Sequence, residues 1–174
     1  MSRHRLFSWL REWSDADLHG TLRAIYLAPA AGAPMEAVDT VQALAGEGLA
    51  GDRYARGTGH WRATDGCQVT LITLDDMQAA QQAAGLSFAH GEHRRNLVVE
   101  GIPVAAYRDR HVRIGEARLR FHRLRPPCGY LERMVGGGAM KALAHRGGIG
   151  LTVVDGGAIK VGDPVIVEPR AARP

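Results

Sequence analysis

Short apolar runs separated by glycine, proline and aspartate follow one another from Gly20 onward. They are rich in the β-branched and aromatic residues that strands favour, and tight-turn sequences at 114–116 and 161–164 join several of them. Closely spaced strands with such connections favour an antiparallel barrel or sandwich over a parallel sheet. The runs that predict strands are residues 21–27, 67–74, 96–100, 111–114, 117–122, 150–154 and 164–168.

Helical signals are fewer and shorter. Asp75 can cap a helix over residues 76–84, which Gly85 would end. A second helix is predicted within residues 138–145, and residues 128–135 predict a turn or a short helix. The sequence therefore predicts a mainly β fold, an antiparallel β-barrel-like domain with a few short helices.

The N-terminus carries a different pattern. Residues 3–18 place apolar side chains, among them Trp9 and Trp13, at the spacing of a short amphipathic helix. We expect this helix to dock on its own domain, because two exposed tryptophans would form an apolar patch. The predicted organisation is an N-terminal helical extension, residues 1–19, followed by one domain, residues 20–174.

The charge balance narrows the choice of partner. The chain has 22 basic and 18 acidic residues and a formal net charge of +4. Much of the basic excess is arginine, whose planar guanidinium suits phosphate or carboxylate. No stacking platform of aromatic residues accompanies it, so we expect a small-molecule ligand and no nucleic acid.

Cysteine content and hydropathy indicate the compartment. Cys67 and Cys128 are too few for a disulfide framework and too far apart for a CxxC pair, which predicts a reducing, cytoplasmic setting. Arg11 and Glu12 interrupt the N-terminal apolar run before it reaches signal-peptide length. No stretch approaches the roughly 20 apolar residues that span a bilayer. We therefore expect a soluble protein without a membrane partner.

Cys128 is the best candidate for a reactive atom. It follows Pro126 and Pro127, which hold the backbone extended, and precedes a glycine that frees it. Three arginines near it in sequence would stabilise a thiolate, the nucleophilic and metal-binding form, if they also lie near it in space. The alternative is a small buried hydrophobe, as most cysteines outside disulfides are. The three arginines are Arg123, Arg125 and Arg133.

Three further segments could hold a ligand. Arg94, Arg95 and Asn96 precede an apolar strand and could present planar donors to an anion, although a solvated charge cluster is the alternative. The glycine-spaced loop 46–54 could form an anion-binding nest or a plain structural turn. His60 lies in a glycine-rich segment that could form the wall of a pocket. His90 and His93 lie in a polar loop and are expected to be exposed and not to be ligands.

Five motifs in order across residues 20–168 resemble the MOSC domain family, named for the C-terminal domain of molybdenum cofactor sulfurase. Each motif alone is modest, but their order makes the resemblance fairly specific. The motifs are Gly48-Leu49-Ala50-Gly51-Asp52-Arg53, Gln68-Val69-Thr70-Leu71-Ile72, Arg94-Arg95-Asn96-Leu97-Val98-Val99-Glu100-Gly101, Pro126-Pro127-Cys128 and Gly156-Gly157-Ala158-Ile159-Lys160-Val161-Gly162-Asp163.

The resemblance implies a β-barrel-like fold that binds the molybdenum cofactor, a metal held by the dithiolene of a phosphorylated pterin. It implies that Cys128 ligates molybdenum, or carries sulfur as proposed for other members. It also implies that the arginine-asparagine motif lies near the pterin phosphate. The candidate cofactor-binding residues are Arg94, Arg95, Asn96, Gly51, Asp52, Arg53, His60 and Pro127.

The function that these features predict is two-electron reduction of N-hydroxylated compounds, with Cys128 as catalytic residue and metal ligand. An external electron donor would be required, because the sequence carries no flavin, haem or iron-sulfur motif. The chain resembles a short stand-alone bacterial-type member and lacks the accessory modules of larger relatives. Two alternatives stay open: a carrier that receives a persulfide on Cys128 from a sulfur-donor protein, and a non-enzymatic binding module.

Overall fold

The computed structural model describes residues 18–60 and 66–170. Within them the chain forms strands of two to ten residues. The strands are β1 (Leu18–Leu27), β2 (Glu36–Val38), β3 (Thr40–Leu44), β4 (Gly48–Leu49), β5 (Val69–Thr73), β6 (Leu97–Glu100), β7 (His111–Ile114), β8 (Ala117–Leu124), β9 (Ile149–Asp155), β10 (Gly157–Lys160) and β11 (Pro164–Val167).

Seven strands close into a barrel in the order β11-β7-β8-β9-β5-β6-β1, and pairing of β1 with β11 completes the ring. The pairs are antiparallel except for β5 and β6, which run parallel. The mainly β, barrel-like fold predicted from the sequence is confirmed. Each of the seven predicted runs corresponds to one barrel strand, and each of these strands contributes apolar side chains to the main core.

Four short strands lie outside the ring and were not predicted. Strand β2 pairs with β1, and β3 joins β10 and β4 in a separate antiparallel sheet. These segments are two to five residues long. The small sheet leads directly into the loop that follows β4.

Three short α-helices lie in the described residues: α1 (Leu74–Ala84), α2 (Gly129–Val135) and α3 (Ala139–Leu143). Thr73, not Asp75, caps α1, because its Oγ1 accepts a hydrogen bond of 3.1 Å from Asp76 N. Gly85 ends α1 in the left-handed conformation, as predicted. None of the described helices is long and apolar enough to cross a membrane.

The predicted N-terminal helix lies outside the described residues except for Leu18, which begins β1 and pairs with Val167. The boundary between extension and domain stays a prediction.

The core has two parts that share β5. Leu71 and Val69 face the barrel interior, whereas Ile72 packs with Phe88 and Leu143 between the barrel and the helices. All five residues of β5 are buried, and the strand separates the two clusters. The segment 86–96 connects α1 to β6 and packs on this second cluster through Phe88. Its last residues, 93–96, are buried directly before β6.

Candidate functional site

A cavity of about 460 Å³ lies where β8 ends and α2 begins. The loop after β4, the segment before β6 and the turn between β8 and α2 all contribute to its wall. None of the described residues that line it is Asp or Glu. Five of them are arginines, so the wall is strongly cationic: Arg53, Arg94, Arg95, Arg123 and Arg125.

Asp52 fixes the loop that carries Arg53. Its carboxylate is fully buried and accepts hydrogen bonds from Arg53 Nη1 at 3.0 Å and from Tyr54 N at 3.1 Å. It also accepts from Ala28 N at 3.1 Å and from Asn96 Nδ2 at 3.0 Å. A buried carboxylate needs such partners to offset its desolvation. Asp52 therefore orients Arg53 from behind and does not line the cavity.

Asn96 holds the strand that follows the arginine pair. Its Oδ1 accepts from Thr70 N at 3.0 Å and from Thr70 Oγ1 at 2.8 Å, and its Nδ2 also donates to Tyr26 O at 3.0 Å. The amide thus ties β6 to β5 and β1 through groups that are all buried. Its role in the structure is to position Arg94 and Arg95, which precede it.

Arg94 is held in an uncommon backbone conformation, with φ at 62°, as its N–H donates to Gly91 O at 2.8 Å. Its Nη1 donates to Ala33 O. Its Nη2 is buried and has no hydrogen-bond partner among the described residues. Burial, and secondly the charge of Arg53, lowers the pKa of Arg94. The cation is thus partly desolvated at the cavity wall.

Arg95 is anchored by backbone carbonyls. Its Nε donates to Gly147 O at 2.6 Å, its Nη1 to His93 O at 3.3 Å and its Nη2 to Arg125 O at 3.2 Å. Burial, followed by the charge of Arg125, lowers the pKa of Arg95 to about 10, so it stays a cation at neutral pH. These bonds join the segment before β6 to the chain on both sides of α2 and α3.

His93 contradicts the expectation that it is exposed, since its exposed fraction is 0%. Its Nδ1 accepts from Arg95 N at 2.9 Å, and the rings of Tyr26 and Phe88 meet it edge-on. Burial, reinforced by Arg95 and then Arg94, lowers the pKa of His93 to about 3. The neutral imidazole therefore shapes the turn that presents the arginines. His90 is exposed, as expected.

Cys128 is a half-buried thiol on the cavity wall, immediately before α2. Its backbone is extended, with φ at −135° and ψ at 167°, as expected after two prolines. Arg123 and Arg125 line the same cavity, whereas Arg133 is exposed and does not. Cys67 is buried, and its Sγ donates to Val69 O at 3.3 Å.

Aromatic side chains complete the wall. His60 stacks on Tyr130 with the ring centroids 4.3 Å apart and the planes 8° from parallel. The Arg53 guanidinium lies 4.7 Å from the Tyr54 ring centre, and Tyr54 Oη accepts from Arg125 Nη2 at 3.2 Å. The sequence reasoning missed both tyrosines, although each stands within two residues of a predicted site residue, Arg53 or Cys128.

Six of the nine candidate residues named from the sequence line the cavity: Cys128, Arg94, Arg95, Arg53, His60 and Pro127. Three do not. Asp52 and Asn96 support the wall from behind, and Gly51 is an exposed turn residue with φ at 84°. No cluster of three or more His, Cys, Asp or Glu that could hold a metal ion occurs in the described ranges. A metal here would depend on Cys128 and on ligands from a cofactor.

Comparison with known proteins assigns the family. Residues 58–166, more than half of the chain, match the family model of the MOSC domain. The chain belongs to the MOSC domain family, which is linked to the molybdenum cofactor. The resemblance inferred from the five sequence motifs is confirmed. No curated protein matches the chain.

Solved structures share the fold at low sequence identity. The YUAD protein from Bacillus subtilis superposes with a TM-score of 0.77 at 15% identity, covering 90% of this chain and 99% of that one. YiiM from Escherichia coli superposes with a TM-score of 0.64 at 16% identity, covering 88% of this chain and 72% of that one. YiiM from Geobacillus stearothermophilus superposes with a TM-score of 0.65 at 14% identity, covering 85% of this chain and 74% of that one. These likenesses show the fold alone.

Proposed function

We propose that the cavity binds the molybdenum cofactor, with Cys128 as the protein ligand to molybdenum and the arginines as the binding site of the pterin phosphate. One observation carries this proposal: a half-buried thiol and an arginine cluster share one cavity wall. Family membership supports the cofactor, because the MOSC domain is linked to it.

The arginines fit a phosphate. Arg94 and Arg95 are buried cations whose pKa values burial lowers, so an anion beside them would recover part of the lost solvation energy. Their guanidinium groups can bind two phosphate oxygens at once, which an ammonium group cannot. A cavity of about 460 Å³ also falls in the range of small-molecule sites.

The thiol fits the metal. Thiolate is a soft ligand suited to a transition metal, and Cys128 presents its sulfur to the cavity from a stiffened turn. Cys67 does not compete for this role, because it is buried and donates to a strand carbonyl. The protein would thus supply one sulfur, and the cofactor dithiolene would supply the others.

The reaction that we propose is reduction of N-hydroxylated compounds. The cofactor, when bound, would supply the two-electron redox chemistry, and the electrons would come from an external donor. The chain contributes position: Cys128 holds one side of the site, and His60 and Tyr130 wall the space in which a planar substrate can lie. The substrate N–O bond is cleaved with two electrons and two protons, which gives water and the compound without its N-hydroxyl group, an amidine where the substrate is an amidoxime.

Metal analysis tests the proposal. Wild-type chain purified from a host that makes the cofactor is expected to hold close to one molybdenum per chain and to reduce benzamidoxime with a chemical electron donor. Cys128→Ser should lose the metal and keep its circular dichroism spectrum, whereas Cys67→Ser should keep both. Equal molybdenum in wild type and Cys128→Ser would contradict the assignment.

A sulfur carrier is the second candidate, supported by the partial exposure of Cys128 at the cavity wall. A carrier needs an accessible thiol and no bound metal. Incubation with a cysteine desulfurase, followed by mass spectrometry, separates the two functions. A stable one-sulfur adduct on Cys128, together with no molybdenum and no turnover, would replace the reductase by the carrier.

A further inference from the structure

Two polar groups in the cavity wall have no hydrogen-bond partner within the part of the chain that the structure describes. Arg94 Nη2 and Tyr130 Oη are both buried, and neither has a hydrogen-bond partner among the described residues. Both side chains line the same cavity. A buried polar atom without a partner costs free energy, and such atoms are few in native proteins. Two of them in one cavity indicate that a ligand supplies the missing partner.

The two groups lie against neighbouring residues of one loop. Arg94 Nη1 donates to Ala33 O, and a Cβ placed on Gly32 would lie 3.9 Å from Tyr130 Oη. Burial and then Arg53 lower the pKa of Arg94, and Tyr130 is the largest of the effects that raise it. Both side chains thus lie beside residues 32–33 in the wall of one cavity, where one ligand can face both.

The direction of the Tyr130 hydroxyl is fixed by its ring. Tyr130 lies near the start of α2, and the His60 ring stacks on it 4.3 Å away and nearly parallel. A ring held on a helix and covered by a second ring cannot turn freely. The hydroxyl is therefore held in place in the wall of the cavity that Arg94 also lines.

We propose that Arg94 Nη2 and Tyr130 Oη form a two-donor site for a phosphate-type oxyanion and that Tyr130 is a binding residue of the cavity. A guanidinium and a hydroxyl both donate, and an anionic oxygen accepts from both while balancing the buried charge. A cation is disfavoured, because none of the described lining residues is acidic. The inference rests on the proposed function for one point, namely that the anion is the pterin phosphate.

Inorganic phosphate is the probe, and the full chain without cofactor is the sample. The Tm is measured against phosphate concentration at constant ionic strength, for wild type, Tyr130→Phe and Tyr26→Phe. Phosphate should raise the Tm of wild type. Loss of one hydrogen bond to a charged group corresponds to roughly a ten- to hundredfold weaker apparent affinity, which we expect for Tyr130→Phe.

Tyr26→Phe is the matched control, because its hydroxyl donates to Ala89 O and does not line the cavity. It should bind phosphate like wild type. Tyr130→Phe keeps the ring on His60, so without phosphate its Tm should equal or exceed that of wild type. Phosphate binding by Tyr130→Phe at wild-type affinity, or no phosphate effect on wild type, would overturn the inference.

The cofactor content of Tyr130→Phe shows whether the anionic group bound at this site belongs to the cofactor or to another ligand. If the anion is the pterin phosphate, the variant purified from a cofactor-producing host should carry less pterin and less molybdenum than wild type. Weaker phosphate binding with unchanged cofactor content supports the two-donor site and assigns it to another phosphorylated ligand. Weaker phosphate binding by a chain that never holds molybdenum supports the site and rejects the proposed function.

Discussion

Asn96 Nδ2 donates a hydrogen bond of 3.0 Å to Asp52 Oδ1, and both side chains are fully buried. This contact joins the loop after β4 to the start of β6, two segments that are 44 positions apart in the chain. Arg53 follows one partner, and Arg95 precedes the other. The contact therefore sets how far apart the arginines of the cavity lie.

Asp52→Ala should lower the free energy of unfolding by about 3–5 kcal/mol, because it leaves the buried Arg53 cation without its carboxylate. Urea unfolding gives this number from the shift in midpoint at constant slope. Asp39→Ala is the control, since Asp39 is exposed and its removal should change stability by less than about 0.5 kcal/mol. Similar losses in the two variants would show that Asp52 does not support the site.

Arg94→Ala and Arg95→Ala should have the same effect on cofactor binding but different effects on stability. Both should weaken binding of the isolated cofactor roughly ten- to hundredfold, as loss of a charge-assisted hydrogen bond does. Arg95→Ala should also lower the free energy of unfolding by about 1–3 kcal/mol, because three backbone carbonyls lose their donor. Pterin fluorescence gives the affinities. Arg120→Ala, an exposed change on β8, should alter neither quantity.

His93 should make the protein less stable in acid. Its pKa in the fold is about 3, against an ordinary value of 6.5, so between these values the unfolded chain binds more protons than the folded chain. Stability should therefore fall as the pH drops below about 6.5, with a slope that approaches about 1.4 kcal/mol per pH unit.

His93→Asn tests this slope, because an Asn side chain can still accept from the N–H two residues later. Unfolding free energies between pH 7 and pH 4 should depend less on pH in His93→Asn than in wild type. His90→Asn, at an exposed position, should keep the wild-type slope. Parallel slopes for wild type and His93→Asn would rule out the buried neutral histidine.

Gly147→Ala should displace the backbone at Arg125, which lines the cavity. A Cβ on Gly147 would lie 2.1 Å from Arg125 O, the carbonyl that accepts from Arg95 Nη2. Because the backbone must move to relieve this clash, we expect the free energy of unfolding to fall by about 1–3 kcal/mol. Gly137→Ala is the control, because a Cβ there meets nothing within 4 Å. Equal midpoints in chemical unfolding of the two variants would contradict the clash.

The barrel strands could be predicted because short apolar runs, all but β8 containing β-branched residues, are separated by turn sequences. Strand β4 could not, because Gly48 and Leu49 alone carry no periodicity. The start of α1 was misplaced by two residues, since Thr73 and Asp75 are both good cap residues and the strand ends directly at the helix. Local propensity does not choose between adjacent caps.

The site was only partly predictable. The chemistry of Cys128 and of the arginine pair follows from residue type, so their presence at one cavity agrees with the sequence analysis. Burial does not follow from residue type, because Asp52, Asn96 and His93 are polar residues enclosed by partners from distant segments. The sequence identifies groups that can bind an anion, but tertiary contacts decide which of them face it.

The seam between β1 and β11 pairs Leu18 with Val167, so the ring is closed by strands from opposite ends of the domain. A chain that emerges from the ribosome in order exposes the outer edge of β1 until Pro164–Val167 have followed. Unpaired strand edges attract other chains. Completion of the barrel therefore waits until β11 has been synthesised, and a pairing between segments so far apart in the chain should slow folding.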